Sequence, residues 1–550
     1  MFDVHQETAF FMTQDGFRLD ADLYYPNSSD PLPVLLMRQP YGRKIASTVV
    51  YAHPAWYASQ GYLVVIQDVR GRGTSEGRFS LFEHEIKDGL ETVNWVANLP
   101  QSNGKVGMYG FSYQGMTQLY AAARQPEALK TICPAMIAYN LYQDWAYENG
   151  AFCLQMNLGW AIQLAAETAK LNGDREAFQK LYAASRHLPL SDPIPPNPQI
   201  LQEFAPDSFY HDWLKYPEDH DYWKQRSPQY LLKNVDLPML HIGGWFDPHL
   251  RGNWKLYHHM KTQSQFPQHL IVGPWGHLPW GRKTGEINYG EAASSFIDEY
   301  QIAWFDYWLK GKESKILPEK PIKLFEMGSN QWQSLDNLES HQSQVFYLTS
   351  NGLANIQENA GRLVTQLSEE HSKKVDYIVH DPWRPVPSLG GHAGFPAGSF
   401  ERSHLESRFD ILTYTSEPLT ENLHLLGQIQ VEVQTQADTP SFDLCATVSE
   451  VYPDGRIYHF SQGYIRLNAT NSEQSEQIVT FSLQPTCIKI VPGNAIRLSL
   501  SGACFPAYTV NSGTDQLLSE TPLMDYQIIT LSVQSGGLGL SKISLPLRNF

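Results

Sequence analysis

Three residues in one chain order carry the chemistry of this sequence: a serine in a glycine-bounded turn, an aspartate and a histidine. Ser112 stands in Gly110-Phe111-Ser112-Tyr113-Gln114-Gly115, after an apolar run holding Val106 and Met108 and before the helix-forming stretch MTQLYAAARQ. Strand, sharp turn and helix in that order lift a hydroxyl out of a sheet toward a helix N-terminus, the layout of a nucleophile elbow. The common pentapeptide has glycine two residues after the serine, whereas here Gln114 holds that position and the glycine comes at 115. A serine hydroxyl is a poor nucleophile until a histidine takes its proton, and that histidine needs a carboxylate to fix its tautomer. Asp247 follows the apolar run 239–242 and two glycines, and His277 closes HLIVGPWGH. Taken singly, Ser112 fits a structural β–α connection, His277 a loop histidine and Asp247 a turn former. Jointly, and in the order Ser, Asp, His, they point to acyl transfer through a covalent serine intermediate.

The elements that must position these residues read as an α/β chain. Strand-like runs cover residues 8–40: TAFFMT, FRLDADLYYP and PVLLMRQP. A helix is expected from about residue 44 to Gln60, then a buried strand, YLVVIQD, ending at Asp68. The following VRGRGTSEG superficially resembles a dinucleotide-binding glycine loop, but Glu76 occupies the third glycine position and no helix opens there, so it reads as a tight loop at the sheet edge. Ile86, Leu90, Val93 and Val96 share one helical face and lead into the serine strand. Between residues 137 and 236 the texture turns aromatic and helical with a Pro-rich connector, SDPIPPNPQ, and no strand-like run. It reads as an inserted cap, in which Trp145 and Trp160 either line an apolar acyl pocket or are simply packed. Past residue 343, short strands separated by turn clusters imply an all-β sandwich. The expected domains are therefore a catalytic α/β domain over 1–136 and 237–342, a helical cap over 137–236, and a β-sandwich over 343–550.

Composition narrows the classes of function. The 550 residues exceed one core, and 42% hydrophobic with 18% charged residues describes a folded, enzyme-sized chain. A formal net charge of −16 without a basic run argues against nucleic-acid binding. Five widely spaced cysteines form no CxxC pair and read as reduced thiols. The N-terminal residues carry no secretory pattern, and no apolar run reaches membrane-spanning length, so a cytoplasmic protein is the expectation. Acyl transfer at serine calls for no metal or cofactor. A homo-oligomer is compatible with the sequence, and a glycan- or protein-binding role of the sandwich is the reading from another class.

Tyr41, just after Pro40 and a buried strand, reads on position alone as a packed aromatic. Five segments change that reading: RQPYGR at 38–43, DVRGRGTSEG at 68–77, GFSYQG at 110–115, GGWFD at 243–247 and GPWGH at 273–277. As a set they resemble the CocE/NonD hydrolases, the group of cocaine esterases, X-Pro dipeptidyl-peptidases (peptidase S15) and α-amino-acid ester hydrolases. The resemblance implies an α/β-hydrolase fold with a cap and a C-terminal jelly roll. It implies Ser112 as nucleophile, His277 as base and Asp247 as its carboxylate. It also implies an oxyanion hole made of the Tyr41 hydroxyl and the Tyr113 backbone N–H.

Substrate class is the open part. The amino-ester hydrolases of the group hold acids two and three residues past the triad aspartate, where this chain has His249 and Leu250. That disfavours a substrate ammonium. The order of expectation is a carboxylic ester hydrolase, then a β-lactam or glutaryl acylase, then an X-Pro dipeptidyl-peptidase. His249 and Arg251 would suit an anionic acyl chain. Phe246 and His249, on either side of Asp247, join Trp145 and Trp160 as candidate substrate contacts.

Overall fold

A strand buried at every position must be covered on both faces, as Leu63–Asp68 and Met239–Phe246 are. Both lie inside a ten-stranded sheet in the computed structural model, which describes residues 4–44, 48–218, 220–313, 320–339, 342–468 and 476–548. Its first strands are β1 (Val4–Met12), β2 (Arg18–Pro26), β3 (Leu32–Gln39), β4 (Leu63–Asp68), β5 (Ser102–Phe111) and β6 (Leu129–Ala135). A two-residue hairpin follows, β7 (Tyr147–Glu148) with β8 (Ala151–Phe152), and then β9 (Met239–Phe246) and β10 (Gln268–Gly276). A second small hairpin, β11 (Lys283–Thr284) and β12 (Ile287–Asn288), precedes β13 (Ile322–Glu326) and β14 (Gln331–Leu335). The order across the large sheet is β1-β2-β4-β3-β5-β6-β9-β10-β13-β14. All pairs from β4 to β13 along that order are parallel, and β1, β2 and β14 add antiparallel at the edges. Parallel strands deliver their carboxyl ends to one edge, which is where an open α/β sheet binds ligands.

The helices that cover the sheet are α1 (Pro54–Ser59), α2 (Glu85–Ala97) and α3 (Tyr113–Ala122). The helix expected from residue 44 to 60 is shorter than its pattern. It begins at Pro54, preset for a first turn, with His53 Nδ1 accepting the Ala55 N–H as a cap. The start of that expected helix, residues 45–47, and the N-terminal residues 1–3 lie outside the described residues.

Six helices stand between β6 and β9: α4 (Leu154–Leu171), α5 (Arg175–Arg186), α6 (Gln199–Phe204), α7 (Phe209–Lys215), α8 (Asp221–Lys224) and α9 (Pro228–Leu231). The segment is not purely helical, since a π-helical turn at Tyr142–Ala146 leads into the β7–β8 hairpin. Two residues per strand leave no period-two pattern to read, which is why the sequence concealed the hairpin. Two more helices, α10 (Leu250–Gln263) and α11 (Ile297–Lys310), complete this part of the chain. From Gln342 onward the described residues form a thirteen-stranded, mainly antiparallel sheet system whose apolar side chains share a core with Trp245, Phe246 and Phe325. All five cysteines are free and buried. Among the described residues no helix is long and apolar enough to cross a membrane.

Candidate active site

The elbow is visible as backbone strain. Ser112 has φ 59° and ψ −126°, a region that side chains other than glycine avoid, and it is the residue before α3. Its N–H donates to Ala135 O at 2.9 Å, and its carbonyl accepts the Met116 N–H at 2.9 Å, so both sides of the turn are tied. The glycines explain the motif. A Cβ at Gly115 would lie 2.4 Å from Ile137 Cγ2 and 2.7 Å from Ala135 O, so the helix can approach β6 this closely only with glycine there. Gln114, the position where the common motif has glycine, packs instead over Gly110, whose added Cβ would sit 2.4 Å from Gln114 Cβ.

Asp247 and His277 lie just beyond the ends of the adjacent parallel strands β9 and β10, where Gly276 pairs with Phe246. His277 Nδ1 is 2.7 Å from Asp247 Oδ1; an ionised carboxylate only accepts, so Nδ1 carries the hydrogen and Nε2 is left as the base. Asp247 is fully buried, its Oδ2 accepts the His249 N–H at 3.2 Å, and its own N–H donates to Gly244 O. The His277 ring packs 5.4 Å from Phe111, the residue before Ser112, which brings histidine and elbow together from strands separated by β6 and β9.

Tyr41 follows β3 at the same sheet edge. Its N–H donates to Gln39 Oε1 at 2.8 Å, and its hydroxyl accepts the Trp160 Nε1–H at 3.1 Å. Burial pushes the phenol up to about 12, against smaller opposing effects of Trp160 and the Arg72 charge, so it holds its proton throughout the neutral range. The Tyr113 side chain is buried and donates its hydroxyl to Glu85 at 2.8 Å, while its backbone N–H lies in the first turn of α3, where amides have no intrahelical acceptor.

Trp145 and Trp160 are neighbours at 5.1 Å between ring centroids, and Trp145 lies 4.2 Å from His249, which in turn lies 5.3 Å from His277. An aromatic wall therefore runs from the Tyr41 hydroxyl to the base. His249 is not the cationic contact the sequence suggested: burial lowers it to about 4, so it is neutral at pH 7, and its Nδ1–H donates to Asp144 O at 3.1 Å. Arg251 is likewise engaged. It lies 2.8 Å from Glu148 of the β7–β8 hairpin, a carboxylate also met by His392 at 2.9 Å and by the Tyr508 hydroxyl at 2.6 Å. Burial alone would raise Glu148, but Arg251 and His392 outweigh it and hold the carboxyl down at about 2. Phe246, the last residue of β9, is buried in the core shared with the C-terminal strands, a separate cluster from the one that holds Trp145 and Trp160.

The VRGRGTSEG loop joins, through Thr74 and its bond from Arg43, a network around the residues that flank Tyr41. Asp68 accepts the Arg43 N–H at 2.7 Å and Gln39 Nε2 at 3.2 Å, and Arg43 pairs with both Asp22 and Asp68. Three contributions escaped sequence reasoning: Arg72 from this loop, the Glu148–Arg251–His392 cluster, and Gln484, whose side-chain amide donates to Asp247 O at 2.7 Å. Arg72 stands in the motif DVRGRGTSEG and Arg251 close to the triad aspartate in sequence, but no local pattern marks Glu148, His392 or Gln484.

The chain is similar to known proteins over most of its length. The pattern of the X-Pro dipeptidyl-peptidase (S15 family) matches residues 15–279, and that of the X-Pro dipeptidyl-peptidase C-terminal non-catalytic domain matches residues 315–531. The chain is 28% identical over 560 residues to the cocaine esterase of Rhodococcus sp. (strain MB1 Bresler), covering 97% of each chain. Among solved structures it resembles an aminopeptidase from a marine sediment archaeon, Thaumarchaeota archaeon, with a TM-score of 0.83 and 21% identity over 100% of this chain and 97% of that one. It also resembles an α-amino acid ester hydrolase, with a TM-score of 0.80, 21% identity and the same coverage.

Proposed function

On the premise that this chain belongs to the CocE/NonD and peptidase S15 group of serine hydrolases, we propose that it hydrolyses carboxylic esters through an acyl-enzyme on Ser112. The observation that carries the reading is the 2.7 Å bond from His277 Nδ1 to buried Asp247, set beside the strained turn of Ser112. As His277 Nε2 takes the hydroxyl proton, Ser112 Oγ attacks the ester carbonyl carbon. The carbonyl oxygen becomes an oxyanion facing the Tyr41 O–H and the Tyr113 N–H. Collapse breaks the bond to the alcohol oxygen, which leaves with the proton from His277. Water, deprotonated by the same Nε2, then attacks the acyl carbon; the acid departs and Ser112 regains its proton.

Neutral acyl groups suit the site better than amino-acyl ones. Carboxylates close to the aromatic wall are already paired, Asp247 with His277 at 2.7 Å, Asp144 with Lys255 at 2.7 Å and Glu148 with Arg251 at 2.8 Å, and His249 is neutral. A substrate ammonium would bring a charge into a buried wall without a free counter-charge. The reading favours an ester hydrolase over an X-Pro dipeptidyl-peptidase or an acylase for charged side chains. Initial rates on nitrophenyl esters, a glutaryl amide and an Ala-Pro anilide, with Ser112→Ala as control, test it. Turnover of the neutral esters with loss in the mutant is the expected result, and cleavage of the anilide alone would reverse the substrate order.

A further inference from the structure

Helix α4 of the insertion touches two groups at the oxyanion side of the site, one turn apart on the same face. Trp160 Nε1–H donates to the Tyr41 hydroxyl at 3.1 Å, and the Leu164 carbonyl accepts Arg72 NH1 at 3.2 Å. An indole N–H can only donate, so the Tyr41 oxygen is the acceptor in that bond and its own proton must point elsewhere. Among the described residues nothing accepts that proton. The indole thus leaves the phenol with its donor side free, and donation into the oxygen polarises the O–H toward a stronger hydrogen bond.

Arg72 is the less expected member. It is 1% exposed, its Nε has no hydrogen-bond partner, and it makes no ion pair with a carboxylate among the described residues. Nearby arginines behave differently: Arg70 of the same loop pairs with Asp88, and Arg43, after β3, pairs with Asp22 and Asp68. The Arg72 guanidinium lies 3.8 Å over the Phe79 ring, which sits 6.2 Å from Tyr113, and its charge acts on both Tyr41 and Tyr113. The Glu167 carboxylate acts on Arg72 from a distance without pairing with it, and a buried cation without a direct ion-pair partner costs stability, so its presence calls for a compensating role.

The geometry points to α4 and Arg72 as parts of the oxyanion hole: Trp160 aims the Tyr41 proton at the developing oxyanion, and Arg72 supplies positive potential behind it. Both are positioning residues, acting through Tyr41 and Tyr113 without touching the reacting atoms. This inference rests on the reading of Tyr41 as oxyanion donor. It goes beyond the role of Trp160 as a pocket wall, because Trp160→Phe keeps an aromatic side chain in the wall while the N–H is lost.

The test measures kcat and KM on a neutral nitrophenyl ester for Tyr41→Phe, Trp160→Phe and the double variant, normalised to active serine titrated with a fluorophosphonate. Loss of the direct donor in Tyr41→Phe is expected to lower kcat about 100-fold. Trp160→Phe is expected to lower kcat roughly tenfold with KM within about twofold, and to add nothing in the Tyr41→Phe background. Equal effects of Trp160→Phe in both backgrounds would overturn the inference, and an unchanged kcat in Tyr41→Phe would overturn the underlying reading instead. For Arg72, Met and Lys are compared. Arg72→Lys should hold kcat within about threefold, whereas Arg72→Met should lower it about tenfold without lowering the thermal midpoint. An unchanged kcat in Arg72→Met removes Arg72 from the hole.

Discussion

Gln484, carried by the C-terminal β-rich part of the chain, donates its side-chain amide to the main-chain carbonyl of Asp247 at 2.7 Å, 237 residues away in sequence. The backbone of the aspartate that orients His277 is therefore held from two sides, by its own β9 turn through Gly244 O and by a residue of the C-terminal part. Gln484 also accepts from Arg251 at 3.4 Å, which links it to the Glu148 cluster. Through Gln484 the C-terminal part of the chain thus helps fix the triad aspartate.

Replacing Gln484 by Leu removes a buried donor and leaves a carbonyl unsatisfied, at a cost of about 1–3 kcal/mol. The looser Asp247 turn should lower kcat several-fold while KM changes little, a pattern that paired urea denaturation and steady-state rates would reveal.

Asp247→Asn keeps the shape of the side chain but presents an amide where His277 needs an acceptor. His277 is then held in the wrong tautomer, and kcat is expected to fall on the order of 10⁴-fold. Initial rates at saturating ester, alongside an unchanged far-UV spectrum, check this.

Glu148 is the counter-charge of Arg251 at a junction of three parts of the chain, β7, α10 and the C-terminal strands. Glu148→Ala leaves a buried guanidinium unpaired and should destabilise the protein by about 3–5 kcal/mol. A double replacement, Glu148→Leu with Arg251→Met, should recover a large part of that loss in the denaturation midpoint.

Stability should change little around neutrality, fall in acid, and fall again in alkali above ~8.5, where unfolded cysteines and then tyrosines release protons that the buried ones keep. Burial lowers His241, His249 and His269 to about 4 and His459 to about 3, whereas an unfolded histidine titrates near ~6.5. Below ~6.5 the unfolded chain takes up protons that the folded chain refuses, so each group favours unfolding progressively down to its folded value. Glu148, held at about 2, adds a second loss that begins below the ordinary glutamate range. A urea midpoint that stayed constant from pH 7 to pH 4.5 would contradict this.

The sequence by itself determined what is local. The elbow was legible because one short segment contains its strand, its turn and its helix, with Gly110 and Gly115 at the two positions where a Cβ would collide. Asp247 and His277 were legible because parallel strands end at one edge, and a buried apolar run closing in glycines marks such an end. The aromatic texture of 137–236 announced helices, though not the two-residue strands of the β7–β8 hairpin. Tertiary structure decided the rest. Tyr41 with Trp160, Glu148 with Arg251 and His392, and Asp247 with Gln484 meet only when separate parts of the chain pack together. It also turned Phe246 into the core and made His249 neutral, because facing and desolvation depend on what covers a residue, and a one-dimensional pattern carries no record of that.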